Sequence, residues 1–102
     1  MGKHRDRLRI IAAILGASEF GARKTRIMLK AKLNFKLFEK YLNDILRLGF
    51  VQIEGQTLSL TEQGRVFLDD YEHFHERYVN AQELLNFLDG EYERLSHLCE
   101  SP

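Results

Sequence analysis

Four side chains near the middle of the chain recur at helical spacing and share a chemistry. Lys36, Lys40, Asn43 and Arg47 would fall on a helix as a stripe roughly 60° wide. Ammonium and guanidinium groups neutralise phosphates, and Asn or Arg can pair bidentately with base edges in a major groove. Phe35, Phe38, Leu42, Ile45 and Leu46 take the opposing face, so this helix would have a firm apolar back. The alternative is a solvated charged face, which is what most such stripes are.

Other reactive side chains are not arranged for catalysis or metal binding. His73 and His75 are two apart and diverge on a helix; His4 and His97 have no ligand partners at metal spacing. Cys99 reads as a core or seam thiol rather than a nucleophile. Asp69, Asp70, Glu72 and Glu76 read as solvated helix faces rather than an acid/base pair. No phosphate-cradling glycine loop is present. The expectation is no enzyme, no cofactor, no metal and no small-molecule ligand.

A net charge of +0 argues against a polyanionic partner only until the chain is halved. Residues 1–50 hold twelve Lys/Arg against four acids, a net +8, and the remainder holds three against eleven, a net −8. That asymmetry points to a basic binding surface and a separate acidic element. With 44% hydrophobic residues over 102 positions, one domain with an extended appendage is expected, not disorder. A single cysteine excludes an internal disulfide framework. Lys3–Arg9 followed by Ile10–Ala17 superficially resembles a signal peptide. The apolar run is short, however, Asp6 interrupts the cations, and Leu8, Ile11, Ala12 and Leu15 form a helical stripe. Asp6 also stands where a myristoylation signal needs Ser or Thr. With no membrane-length apolar run, a soluble, intracellular protein is expected.

The elements that would position these residues follow from caps and periodicity. A first helix covers about 5–17, and a loop Ser18–Arg23 contains Gly21. A short second helix near Lys24–Ala31 turns Ile27, Met28 and Ala31 inward, with Arg26 and Lys30 outward. Asn34 can cap a third helix that ends at Leu48 before Gly49. Phe50–Ile53 and Thr57–Leu60 alternate about the turn Glu54-Gly55-Gln56, which predicts a small hairpin. Thr61 then caps the last helix. A basic helix placed third, before a hairpin, strengthens the major-groove reading.

The stretch Tyr41-Leu-Asn-Asp-Ile-Leu-Arg-Leu-Gly-Phe-Val51, followed by Leu58-Ser-Leu-Thr-Glu-Gln-Gly64, resembles the winged helix-turn-helix signature. The resemblance covers about residues 8–68. Lys24-Thr25-Arg26-Ile27-Met28, with the long last helix, is similar to the small archaeal chromatin-associated winged-helix family of about ten kilodaltons. Those proteins bind double-stranded DNA and dimerise through an antiparallel coiled coil. The resemblance implies that Lys24, Arg26 and Lys30 lie near the phosphate backbone. It also implies that Lys36, Lys40, Asn43 and Arg47 lie on or beside the groove-facing surface; Lys32 and Asn34 are expected among the DNA-binding residues as well. Glu54, Gly55, Gln56 and Thr57 supply none of the cations usual in such a wing, so the basic arm Lys3–Arg9, with Arg5 and Arg7, is expected to substitute for it.

From Phe67 onward a heptad repeat places Phe67, Phe74, Ala81, Leu88 and Leu95 at d, and Tyr71, Tyr78, Leu85, Tyr92 and Cys99 at a. All are apolar, aromatic or Cys, a coiled-coil signal. A helix of ~32 residues spans roughly 48 Å, longer than a winged domain can cover, so part of its apolar face must find another chain. The alternative is one amphipathic helix packed on its own domain. An antiparallel pairing sets Phe74 against Tyr92 of the partner subunit and Tyr78 against Leu88 of the partner subunit. It also brings Leu84 to its own copy, whereas a parallel pairing matches Leu84 poorly. Gly90 falls at the outer f position, so a continuous helix is expected, weakened by about 1 kcal/mol relative to alanine.

The expected architecture is therefore mainly α with a small β-hairpin: a winged helix-turn-helix over 1–64 and a dimerisation helix over 65–99. The expected function is sequence-tolerant double-stranded DNA binding as a homodimer, architectural or regulatory, with helix 34–48 in the major groove. The dimer interface would comprise Phe67, Tyr71, Phe74, Tyr78, Ala81, Leu84, Leu85, Leu88, Tyr92 and Leu95. The competing expectation is a winged-helix protein-interaction module of transcription machinery without direct DNA contact.

Overall fold

The computed structural model describes the backbone of residues 3–100 and the side chains of residues 7–100. Its elements run α1 (Lys3–Ala17), β1 (Ala22–Arg23), α2 (Lys24–Lys30), α3 (Phe35–Leu48), β2 (Val51–Glu54), β3 (Thr57–Leu60) and α4 (Glu62–Glu100). Two compact units divide between Tyr71 and Glu72.

In the first unit, helical period 3.6 places Ile11, Ile14 and Leu15 of α1, Ile27 of α2, and Phe38, Leu42 and Ile45 of α3 on inward faces. These side chains are buried together with Val51, Leu58 and Leu68. The strands form an antiparallel sheet in the order β1-β3-β2, with Val51 opposite Leu60 and Ala22 opposite Leu58. The expected hairpin is thus the larger part of a three-stranded sheet. Ala22–Arg23 extends it where a plain loop was expected, because two residues are too few to show alternation.

Helix boundaries follow local chemistry. The Asn34 side chain accepts from the Leu37 amide at 2.8 Å, satisfying one orphan donor of α3. Gly49 ends that helix at φ 78°, and Phe50 N–H closes onto the Ile45 carbonyl, a Schellman stop. The same stop ends α2, where the Leu33 amide reaches the Met28 carbonyl. Here the left-handed residue is Lys32, at φ 59°. Thr61 joins two helix ends: its hydroxyl donates to the Gly49 carbonyl and accepts from the Gly64 amide.

The first turns of α4 belong to this unit. Leu68 is buried, and Phe67 and Tyr71 pack against the core. Phe67 stacks on Phe50 with ring centroids 5.0 Å apart, and Tyr71 on Phe67 at 6.4 Å. Two side chains expected at a dimer interface therefore cover the domain's own core, since the heptad repeat begins while α4 still lies against it. The compact unit accordingly runs past residue 64, the expected boundary.

The second unit is helical from Glu72 to Glu100, and α4 passes through Gly90 without a break. None of its described residues is buried. Phe74, Leu84, Leu85, Leu88, Tyr92 and Leu95 are exposed apolar side chains, Ala81 is also exposed, and Tyr78 is half-buried.

Candidate nucleic-acid interface

The outer face of α3 carries Lys36, Lys40, Asn43 and Arg47, all exposed. Their backing, Phe38, Leu42 and Ile45, is at most 1% exposed, so the helix presents its cations from a fixed base. Phe35 departs from expectation. It is 67% exposed at the first position of α3 and borders a shallow cleft with Lys24, Met28 and Phe38.

Asp44, absent from the expected set, organises one end of this face. Its carboxylate accepts from Arg47 Nη2 at 2.8 Å and lies 4.0 Å from Arg7 Nη2. An α1 cation is thereby drawn beside the last turn of α3. The sequence signal was weak, since Asp44–Arg47 is an ordinary i,i+3 pair and the Arg7 contact is tertiary. Arg5 lies within α1, but its side chain is outside the described residues. Lys40 Nζ stands 5.7 Å from the Tyr41 ring centroid, a separation compatible with a cation–π contact.

The cations of α2 do not form one patch. Around the buried Ile27, Lys24 and Met28 lie on the flank toward α3, whereas Arg26, Leu29 and Lys30 lie on the opposite flank. All three were expected near a phosphate backbone; the helical phase sets Arg26 and Lys30 more than a quarter turn from Lys24. Lys32 sits exposed in the turn between α2 and α3. Asn34 spends its carbonyl oxygen on the helix cap, which leaves its amide group for any further bond.

The wing, β2-turn-β3, holds its acid internally: Glu54 accepts from Ser59 Oγ at 3.2 Å and Gln52 Nε2 at 3.5 Å. Its tip, Gly55 and Gln56, borders a groove with Ile53, Arg23, Lys24 and Thr25. Arg23 and Lys24 thus stand beside a wing that has no cation of its own. Arg23 was not among the expected site residues; only its place in the unrecognised strand β1 brings it there.

Among the described residues no group of three or more His, Cys, Asp or Glu side chains stands together as a metal site. No helix among them is long and apolar enough to cross a membrane.

Three helices, a β-wing and a basic outer face on the third helix define a winged helix-turn-helix. A family model of that description matches residues 4–80, and the chain belongs to the winged helix-turn-helix family. Among solved structures the chain is similar to Sso10a-2, described as a DNA-binding protein from Sulfolobus solfataricus. The TM-score is 0.65 and the identity 23%, over 93% of this chain and 97% of that one. No curated protein matches the chain.

Proposed function

We propose that this protein binds double-stranded DNA, with α3 in the major groove, as a homodimer joined through α4. The observation that carries this reading is the exposed row of Lys36, Lys40, Asn43 and Arg47 on a helix whose opposite face is locked into the core. The anchored helix sets these cations in a row without further ordering of the backbone, and Asn43 lies where it can reach a base edge. Arg7, Lys24 and Lys32 would hold the flanking backbone, with Arg23 supplying the charge missing from the wing. A structurally similar protein described as DNA-binding supports the reading.

Dimerisation is supported by the second unit. A lone helix is marginal in water, and this one leaves Phe74, Leu85, Leu88, Tyr92 and Leu95 exposed along one stripe. An antiparallel pair of such helices covers the stripe and carries two winged domains. The product is a sequence-tolerant binder, serving as an architectural chromatin component or a transcriptional regulator in the cytoplasmic nucleoid. A mobility-shift titration on random-sequence duplex at two salt concentrations tests it. Saturable binding that weakens steeply with salt is expected; no shift at low salt would contradict the reading.

A further inference from the structure

The flank of α2 turned away from α3 faces the loop that follows α1. Between them lies an open cleft of ≈ 850 Å³ bordered by Phe20, Arg23, Arg26, Leu29 and Lys30. Phe20 is 92% exposed and Leu29 68%, although both are large and apolar. The one acid at the rim, Glu19, is bonded to Arg65. Among the described residues, Arg26 and Lys30 have no ion-pair partner. The cleft therefore combines two unmet demands, apolar surface in water and cations without counter-charges.

These demands select the ligand. A phosphate backbone satisfies the cations but gives Phe20 and Leu29 nothing apolar to bury against. A purely apolar partner covers the rings and leaves the cations to lose water without compensation. A peptide alternating acids with apolar anchors answers both, since buried aromatic surface carries much of an interface's energy and charge complementarity steers encounter. Location agrees as well, because Arg26, Leu29 and Lys30 lie on the flank of α2 opposite Lys24 and Met28. A duplex seated on α3 would leave them open.

We propose that this cleft docks an acidic peptide segment with apolar anchors, contributed by a protein partner. The inference does not depend on DNA binding by α3. It is tested on the full chain by fluorescence anisotropy, using a short labelled peptide in which Asp and Glu alternate with Phe and Leu. Saturable binding is expected, weakened about tenfold or more by Phe20→Ser and by the double reversal Arg26→Glu with Lys30→Glu. Phe20→Ser should leave duplex-DNA affinity and the circular dichroism spectrum unchanged. Absence of saturable binding, or binding indifferent to both variants, would overturn the proposal. So would a charge reversal that weakens DNA binding as much as peptide binding, which would assign the cations to a duplex. Loss of self-association in Phe20→Ser without peptide binding would assign the cleft to a second copy and likewise overturn it.

Discussion

Gly64 packs directly beneath the Phe50 carbonyl, so that a Cβ at position 64 would overlap that oxygen and press on Leu60 as well. The Phe50 carbonyl also accepts from the Thr61 amide, which fixes it in place. The Leu-Thr-x-x-Gly run that opens α4 is therefore a packing requirement. Thr61 caps the helix and ties it to Gly49, and Gly64 lets the helix lie against the end of α3.

Gly64→Ala should cost about 2–3 kcal/mol, since the clash is with backbone that cannot rotate away. Urea unfolding followed by circular dichroism at fixed protein concentration measures it. A loss below about 0.5 kcal/mol would mean that α4 does not approach Phe50 as described.

Thr61→Ala removes both the bond to Gly49 and the cap on Gly64, and should lower stability by about 1–2 kcal/mol. Thr61→Ser keeps the hydroxyl and should recover most of that loss. Equal losses in the two variants would place the effect on the methyl group instead.

Much of this fold was legible because its signals are local. Asn34, Gly49 and Thr61 announce their helix ends by type and position, and the alternation of Thr57–Leu60 marks a strand without tertiary help. What escaped depends on distant partners. Ala22–Arg23 becomes a strand only by pairing with β3, and Arg23 joins the wing groove for that reason alone. Lys32 ends α2 in a conformation where glycine is the usual marker. Phe67 and Tyr71 satisfy the heptad pattern yet serve the domain core, since a periodic stripe does not say which surface covers it. Within the site, the face of α3 was readable from periodicity, whereas Asp44 gathering Arg7 and Arg47 was not.

Lys32→Gly separates stability from binding. Relief of the left-handed strain should raise stability by about 0.5–1 kcal/mol. Loss of one phosphate contact should at the same time reduce the salt slope of DNA binding by about 0.9. A gain in stability with an unchanged salt slope would remove Lys32 from the interface.

Phe67→Ala and Leu88→Asp should fail differently, although both positions are d in the same repeat. Phe67→Ala should destabilise the winged domain by about 3 kcal/mol and leave association unchanged. Leu88→Asp should shift sedimentation from dimer to monomer while the winged domain stays folded. A dimer unaffected by Leu88→Asp would exclude the proposed seam.

DNA contact by α3 is the central proposal, and the salt dependence of affinity tests it directly. The logarithm of the duplex association constant should fall linearly with the logarithm of salt concentration in the unmodified protein. In the triple variant Lys36→Ala, Lys40→Ala, Arg47→Ala, with an unchanged circular dichroism spectrum, the slope should become shallower by about 2.7, or 0.9 for each lost phosphate contact. An unchanged slope and affinity in that variant would contradict the account and move the interface elsewhere on the molecule.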